Sequence, residues 1–203
     1  MTSEAELFET LKYRVGVDRH GTCRYYNSAG QLHRDDGPAV VWRDGDKEWY
    51  QNGLRHRDVD PAVVWYNGDE EWYQNGLRHR EVGPAVKRKS GTVEWWINGE
   101  LHCDAGPAVE RSDGTKEWWL NGQLHRINGP AVEYADGGKE WWLHGERNRE
   151  DGPAIEWPGG TKEWWQNGLR HRINGPAVEH ADGGKEWWIN GKSYTKQEYQ
   201  AQL

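Results

Sequence analysis

Residues 38–60 read PAVVWRDGDKEWYQNGLRHRDVD, and recognisable copies of this stretch fill most of the 203-residue chain. Proline recurs every 23 residues, each of these prolines precedes alanine, and Glu-Trp-aromatic follows ten residues later. A fixed period of this length indicates a repeat architecture in which each unit packs on its neighbours. The repeat prolines lie at positions 38, 61, 84, 107, 130, 153 and 176.

The composition favours a thin β structure over a large aliphatic core. The chain has 15 Trp but only one Phe and one Met, and its mean hydropathy is -1.12. Each buried Trp ring covers roughly 150–250 Å², so Trp burial and strand pairing between neighbouring repeats must supply the order. The net charge of -7 disfavours duplex nucleic acid as a partner, because such sites neutralise phosphates with clustered Lys and Arg.

The sequence pattern predicts a soluble, cytoplasmic protein. It contains no apolar run near the length of a membrane span and no signal-peptide pattern. The acidic balance also makes binding to an anionic membrane surface unlikely. Cys23 and Cys103 lie more than three repeats apart, so we expect no disulfide. Cys103 interrupts a column otherwise filled by Arg, and we interpret it as drift.

Each repeat carries the signals of two tight turns. Pro38 begins a predicted strand, Asp44-Gly45 is read as a two-residue turn, and residues 47–51 form the return strand. Asn52-Gly53 then makes a second turn, because Asp-Gly and Asn-Gly tolerate the positive φ of tight hairpins. The sequence therefore predicts an all-β fold, an elongated antiparallel array of hairpins that advances about 10 Å per repeat.

The predicted turn also fixes a register. A two-residue loop sets Val40 opposite Trp49 and Val41 opposite Glu48, so Val and the first Trp share one packed face. Ala and the second aromatic of each repeat then lie together on the opposite, outer face. The outer aromatic column is Tyr50, Tyr73, Trp96, Trp119, Trp142, Trp165 and Trp188.

The two ends differ from the middle of the array. Ser3 to Glu6 and Thr195 to Glu198 both fit the capping box that opens a helix. Tyr26 falls in the first-Trp column of a degenerate first unit. Such atypical ends cover the open edges of repeat arrays. The predicted organisation is a capping helix over 1–12, a repeat domain over 13–191 whose first unit spans 13–37, and a capping helix over 192–203.

The pattern aromatic-x-Asn-Gly-x-x-His, followed by a glycine-started strand and a turn glycine, resembles the MORN (membrane occupation and recognition nexus) repeat over about residues 13–191. The His-Arg-x-x-Gly-Pro-Ala variant is similar to arrays in uncharacterised phage, large-virus and bacterial proteins. It departs from the MORN pattern where Arg34, Arg57 or Arg80 replaces the glycine after His. The resemblance implies a hairpin array with scaffolding, self-association, or lipid or protein binding, and bacterial variants can act as antitoxins or immunity proteins.

A histidine column recurs once per repeat. Copies about 10 Å apart cannot share a zinc ion whose ligands lie near 2.0–2.3 Å. We predict that each imidazole bonds loop backbone, and Asn148 in this column fits that role because an amide can do the same. The histidines are His33, His56, His79, His102, His125 and His171.

A glutamate column and the outer aromatic column are the candidate binding features. The predicted register sets Glu117, Glu140 and Glu163 opposite other glutamates, so a cation must lie between them. That cation is either an internal one, such as Arg126, Arg172 or a neighbouring Lys, or the basic surface of a partner. The aromatic rings either cover alanines or form an interface of the kind rich in Trp and Arg.

The columns indicate a non-enzymatic protein, because an active site is normally built once. We predict no catalytic residue, no metal site and no cofactor. The first hypothesis is an interaction scaffold that binds a protein partner or its own copy through aromatic and acidic faces. The alternative is a sequestering or inhibitor protein that stacks a small molecule or nucleotide on the Trp rows. The predicted binding residues are Trp96, Trp119, Trp142, Trp165, Trp188, Glu117, Glu140, Glu163, Arg126 and Arg172.

Overall fold

The computed structural model describes residues 12–202 and is almost entirely β. The predicted all-β hairpin array is confirmed. The predicted helix over 1–12 lies, except for Lys12, outside the described residues. The chain divides into two compact units, Met1–Glu100 and Leu101–Leu203. Among the residues described, no helix is long and apolar enough to cross a membrane.

Each repeat contains two successive antiparallel hairpins. The first, the sheet hairpin, also pairs with the sheet hairpins of neighbouring repeats within its unit, as Lys47–Glu48 does with Val63–Val64. An N-terminal hairpin, Arg14–Val17 with Cys23–Tyr26, pairs in the same way with Val40–Val41. The sheet hairpins are Val40–Val41 with Lys47–Glu48, Val63–Val64 with Glu70–Glu71, Val86–Lys87 with Val93–Glu94, Val109–Glu110 with Lys116–Glu117, Val132–Glu133 with Lys139–Glu140, Ile155–Glu156 with Lys162–Glu163, and Val178–Glu179 with Lys185–Ile189.

The second, the edge hairpin, closes on the Asn-Gly turn. Asn52 and Gly53 have φ of 49° and 82°, the two positive values that a type I′ turn requires. The edge strands are Tyr50–Gln51, Leu54–Arg55, Tyr73–Gln74, Leu77–Arg78, Trp96–Ile97, Glu100–Leu101, Trp119–Leu120, Gln123–Leu124, Trp142–Leu143, Glu146–Arg147, Trp165–Gln166 and Leu169–Arg170, and in the last repeat Lys192–Tyr194 pairs with Lys185–Ile189.

The predicted register of the sheet hairpin is wrong by one residue. The loop contains three residues, not two, because Gly45 N–H donates to the Trp42 carbonyl and Trp42 N–H donates to the Asp46 carbonyl. Gly45 has a φ of 103°, as in a type I turn followed by a glycine bulge. Val40 therefore stands opposite Glu48, and valine and glutamate share a face.

The corrected register alternates valine and glutamate along one face of each sheet. In the first unit the successive opposite residues are Val40, Glu48, Val63, Glu71, Val86 and Glu94. In the second they are Val109, Glu117, Val132, Glu140, Ile155, Glu163, Val178 and Glu186.

The other face of the second unit carries alternating charges. Glu110 stands opposite Lys116, which stands opposite Glu133, and the alternation continues to Lys185. Opposite charges across a strand pair are favourable. The predicted Glu–Glu opposition is therefore wrong, because the three-residue loop moves each partner by one position.

Within each unit, successive repeats are joined through the backbone of the first Trp. Trp49 N–H donates to the Ala62 carbonyl of the next repeat at 2.8 Å, and the Trp49 carbonyl accepts from His56 N–H at 3.1 Å. Ala62 is fully buried beside Val63 and Tyr73. The chain thus bends at Trp49 and supplies one strand to the sheet and the next to the edge hairpin.

The degenerate first repeat, residues 13–37, places its residues at a different spacing from the other repeats. Tyr25, not Tyr26, takes the first-Trp position, because Tyr25 N–H donates to the Ala39 carbonyl and the Tyr25 carbonyl accepts from His33 N–H. The turn after it is one residue longer than Asn-Gly, since Asn27 N–H bonds the Gln31 carbonyl. The prediction for Tyr26 is therefore wrong.

The C-terminal helix spans Lys196–Gln200 and begins with the predicted capping box, in which Thr195 and Glu198 bond each other's backbone N–H groups. Tyr199 on this helix is buried, donates its hydroxyl to the Arg172 carbonyl and accepts from Gly175 N–H. These bonds fix the helix on the last repeats.

Hydrogen bonds to the histidine column join successive edge hairpins. Asn52 N–H donates to Nδ1 of His33 at 3.0 Å, and Asn167 N–H donates to the amide oxygen of Asn148 at 2.9 Å. The same bond in the other repeats joins Asn75 to His56, Asn98 to His79, Asn121 to His102, His144 to His125 and Asn190 to His171. Because Nδ1 accepts, the neutral ring carries its proton on Nε2.

We predict that His125 makes the fold sensitive to acid. Burial and the nearby His144 ring both hold the pKa of His125 below its ordinary value of 6.5. A group kept neutral in the folded state binds fewer protons than in the unfolded chain, so its contribution is complete above pH 6.5 and is lost as the pH falls through the folded-state pKa. An NMR titration should show the lowered pKa.

The matched variant is His125→Asn, which copies the natural Asn148 and cannot titrate. Urea unfolding between about pH 7.5 and pH 5.5 should show a smaller loss of stability for this variant than for the wild type. Equal losses in the two proteins would contradict the role assigned to His125.

Candidate functional site

The glutamate column forms a row of carboxylates that are buried or partly buried. The side chains of Glu48 and Glu71 are each 6% exposed, and that of Glu140 is 5% exposed. An ionised carboxylate removed from water costs several kcal/mol unless hydrogen bonds and a cation compensate it. The surrounding residues supply both.

The aromatic residue two positions after each glutamate is its first donor. The Tyr50 hydroxyl donates to Glu48 at 2.8 Å, and Trp142 Nε1 donates to Glu140 at 2.9 Å. The same contact joins Tyr73 to Glu71, Trp96 to Glu94, Trp119 to Glu117, Trp165 to Glu163 and Trp188 to Glu186. The second aromatic of each repeat is therefore tied to the acid and lies on its face.

The cation comes from one of two sequence positions. In four repeats it is the Arg seven residues after the glutamate: Arg55 on Glu48, Arg78 on Glu71, Arg147 on Glu140 and Arg170 on Glu163, at 2.9–3.3 Å. The residue six before the glutamate is then aromatic. Trp42 and Tyr134 from this position donate to the second carboxylate oxygen at 3.1 and 2.9 Å.

The remaining repeats reverse this arrangement. Leu124 stands where the Arg would be, and Arg111, six residues before Glu117, reaches its carboxylate at 2.6 Å. Likewise Leu101 occurs with Arg88, which contacts Glu71 of the preceding repeat at 2.7 Å. In the last repeat His180 contacts Glu186 at 2.9 Å. Each repeat thus contributes one basic side chain to the row of carboxylates, either from seven residues after its glutamate or from six residues before it.

The pKa shifts show which groups stay charged. Burial would raise the pKa of Glu71, but the bond from Tyr73 and the charges of Arg78 and Arg88 lower it overall. Burial and the bond to Glu140 raise the pKa of Tyr134 to about 12. At Glu71 the lowered pKa of the carboxyl and the raised pKa of the Tyr73 phenol keep an ionised acceptor beside a neutral donor, which stabilises their hydrogen bond.

Where the repeat carries it, the arginine after the column histidine or Asn148 covers the first aromatic residue on the opposite face. The Arg126 guanidinium carbon lies 3.7 Å from the Trp118 ring centre, and that of Arg172 lies 3.7 Å from Trp164. Nη1 of Arg126 also donates to the Pro130 carbonyl at 2.9 Å and to Glu133 at 2.7 Å. The same stack joins Arg34 to Tyr25, Arg57 to Trp49, Arg80 to Trp72 and Arg149 to Trp141.

This stack is one reason why glycine precedes the repeat proline, and the positive φ of Gly83, Gly129 and Gly175 (96°, 149° and 152°) is another. A Cβ at Gly152 would lie 2.8 Å from the guanidinium carbon of Arg149, and one at Gly129 would lie 3.2 Å from that of Arg126. At the exceptional Asp60, the carboxylate instead accepts from Arg57 at 2.8 Å. His-Arg-x-x-Gly-Pro-Ala is therefore one structural unit, with each residue fixed by contact with another.

The ten predicted binding residues thus lie in two separate internal networks. Trp119, Trp142 and Trp165 join Glu117, Glu140 and Glu163 around the buried carboxylates, together with Trp96 and Trp188 in their own repeats. Arg126 and Arg172 lie apart from them, on Trp118 and Trp164. Whether any of the ten binds a partner stays a prediction.

The most exposed apolar residues were not among those predicted. They lie in the connecting loops, 57–60 and 80–83 in the first unit and 103–106, 126–129, 149–152 and 172–175 in the second, and we call the loops of either unit its loop edge. Val59, Val82 and Ile127 there are 80%, 83% and 78% exposed, and Ile173 is 51% exposed. Aliphatic residues in the two variable positions of His-Arg-x-x-Gly could have indicated this surface from the sequence.

Open grooves separate successive loops of the loop edge. One of about 440 Å³ lies between 103–106 and 125–128, with Trp118 and Trp119 among its walls. The next, of about 580 Å³, lies between 126–129 and 148–151, beside Trp141. Within residues 12–202, no group of three or more His, Cys, Asp or Glu side chains could hold a metal ion.

Comparisons with known proteins identify no family. No family model matches the chain, and no protein with a curated description matches its sequence. The resemblance to MORN repeats therefore rests on the residues alone.

We predict that the two cation positions can substitute for one another. Arg147→Leu should destabilise the protein by about 2–4 kcal/mol, because Glu140 would keep a buried charge without its cation. Adding Tyr134→Arg recreates the arrangement of Arg111 and Leu124 and should restore at least half of that loss. Urea unfolding of the two single variants and the double variant gives the coupling energy. Additive effects would contradict the exchange.

We also predict that, where φ is not positive, glycine before proline matters only where arginine covers it. Gly152→Ala should destabilise the protein by about 1–3 kcal/mol through the clash with Arg149. Gly106→Ala is the matched control: a Cβ there meets nothing within 4 Å, so stability should change by less than about 0.5 kcal/mol. In an Arg149→Cys background, Gly152→Ala should become equally mild. An unchanged penalty in that background would show that the backbone, and not the guanidinium, requires glycine.

Proposed function

We propose that this protein is a MORN-like, non-enzymatic interaction scaffold that binds a protein partner, or a second copy of itself, along the loop edge. The observation that carries the proposal is an exposed Val or Ile at one or the other of the two variable loop positions in four repeats, up to 83% exposed in Val82. In repeat proteins, the residues free to vary often lie on the binding face. Here those residues are the two positions between Arg and Gly.

The periodic columns support this placement because their side chains are occupied inside the fold. Glu140 is surrounded by Tyr134, Trp142 and Arg147. The histidines hold the next repeat, and the arginines cover Trp. A partner that bound the carboxylates would have to displace bonds to buried charges, which is costly. The loop-edge aliphatic residues can bury apolar area without any such loss.

The nucleotide alternative receives less support from the geometry. The Arg147 guanidinium carbon lies 4.8 Å from the Trp142 ring centre and 5.3 Å from that of Trp165. Arg170 lies similarly between Trp165 and Trp188. A base stacked on these rings would have to displace an arginine that already holds a buried glutamate.

Site-specific photo-crosslinking of the full chain tests the scaffold proposal. A photoreactive residue at Val82 or Ile127 should crosslink a discrete protein in a lysate of the source organism, or a second copy in purified protein. The same residue at Lys139 or Lys185, on the charged face of the sheet, is the matched control and should crosslink little.

Val82→Asp and Ile127→Asp should then weaken capture of that protein without changing thermal stability, because both side chains are exposed. Equal crosslinking from the charged face would contradict the proposed surface. A strict monomer with no crosslinked partner from either face would overturn the proposed function.

A further inference from the structure

The second unit holds a guanidinium group in the same place in three successive repeats. Arg126, Arg149 and Arg172 each donate Nη1 to the carbonyl of the following repeat proline, at 2.9–3.0 Å. Each also donates to a glutamate three residues after that proline, at 2.7–2.9 Å. Carbonyl, carboxylate and the glycine surface together form a guanidinium receptor.

The repeat before them has the receptor but not the arginine. Cys103 stands in the Arg position, and the equivalent acceptors are the Pro107 carbonyl and Glu110. Among the described residues, no side chain donates to the Pro107 carbonyl and Glu110 makes no ion pair, although Lys116 is its cross-strand neighbour.

The space for the missing group is open. A Cβ built on Gly129, Gly152 or Gly175 meets a guanidinium carbon at 3.2, 2.8 or 3.1 Å. A Cβ built on Gly106 meets nothing within 4 Å. Gly106 and Cys103 also line the groove of about 440 Å³ that opens to solvent. A group from outside the chain can therefore reach this space.

The chemistry of the space selects a planar cation. Among the described side chains none donates to its two acceptors, and Asp104, which lines the same groove as Cys103 and Gly106, is 85% exposed and adds negative charge there. Guanidinium presents several N–H groups in one plane and is more weakly hydrated than ammonium. It can therefore lie flat against Gly106 while one of its nitrogens bonds both carbonyl and carboxylate, whereas a lysine ammonium can make the two bonds but lacks the planar surface.

We propose that the Cys103 repeat receives an arginine side chain of a partner protein, held by the Pro107 carbonyl and Glu110 against Gly106. The inference rests on the proposed scaffold function and names the chemistry of one of its contacts. The net charge of -7 favours such a basic contact, because it steers positively charged surfaces towards the chain.

The first test uses small probes on the full, isotope-labelled chain. N-ethylguanidinium at millimolar concentration should shift the amide signals of Gly106 and Glu110, and ethylammonium should bind about threefold to fivefold more weakly. Glu110→Gln should weaken guanidinium binding by a similar factor. Its matched control is Glu133→Gln, at the same position in a repeat that keeps Arg126, and it should leave binding unchanged.

The second test fills the site from within. Cys103→Arg should raise the thermal unfolding temperature and abolish the probe-induced shifts at Gly106, because the chain then supplies its own guanidinium. If ethylguanidinium and ethylammonium bind equally, or if binding persists in Cys103→Arg, the proposal is wrong.

The third test distinguishes an arginine side chain in a polypeptide from a free guanidinium compound. Acetyl-Gly-Arg-Gly-amide should bind at least as tightly as N-ethylguanidinium, and the lysine peptide should bind more weakly. Binding of the small probe but not of the peptide would overturn the protein-arginine assignment.

This inference and the scaffold proposal can fail separately. If the partner crosslinked from Val82 or Ile127 binds Cys103→Arg as well as it binds the wild type, the arginine contact is wrong and the scaffold function stands. If the arginine peptide binds but no partner is crosslinked, the receptor stands and the scaffold function falls.

Discussion

Each repeat of this protein holds one carboxylate that is buried or partly buried, and the need to compensate that charge determines much of the surrounding sequence. Glu140 accepts bonds from Tyr134, Trp142 and Arg147, three residues that belong to different strands of one repeat. Because an unpaired buried charge costs several kcal/mol, these strands can pack only in the arrangement that brings their donors together. The carboxylate therefore fixes the geometry of the two hairpins in a chain with little aliphatic core.

The exchange of Arg and aromatic residues between two positions follows from the same constraint. Where Leu124 replaces the arginine, Arg111 supplies the charge from the other side of Glu117. A carboxylate needs a cation nearby, and it can accept that cation at either of its oxygens. The columns of this repeat are consequently not independent, and a substitution in one is matched by a substitution in the other.

The proposed binding surface therefore uses positions at which the fold does not require one particular residue. Histidine, asparagine, arginine, glycine, glutamate and tryptophan each have a partner in the repeat or in its neighbour. At the first of the two loop positions between Arg and Gly an aspartate contacts the column histidine in three repeats, as Asp58 does His56, whereas Val59, Val82 and Ile127 at these positions have exposed side chains. The Cys103 repeat is the other departure, because it keeps the acceptors of a guanidinium without the guanidinium itself.

The period, the turns and the C-terminal capping box were predictable from the sequence because each depends on residues close together in the chain. Gly53 follows Asn52 at a type I′ turn, and Thr195 caps a helix with Glu198 three positions away. The structural role of the histidines was predictable as well. Asn148 stands in the same column, and an asparagine shares with histidine the ability to hydrogen-bond backbone groups. The fold class followed from these local signals.

Only the tertiary structure decided three features of the repeat. These are the register of the sheet hairpin, the burial of glutamate, and the separation of the arginines from the second Trp column. Asp44-Gly45 is compatible with a two-residue loop and with a three-residue loop, and the choice depends on contacts from the next repeat, such as the bond from Tyr66 N–H to Asp46. A shift of one residue moves every side chain to the other face of the sheet. The predicted register therefore placed glutamate on the outer face. Glu140 is buried because donors six residues before it, two after it and seven after it converge on its carboxylate, and a linear pattern does not record that convergence.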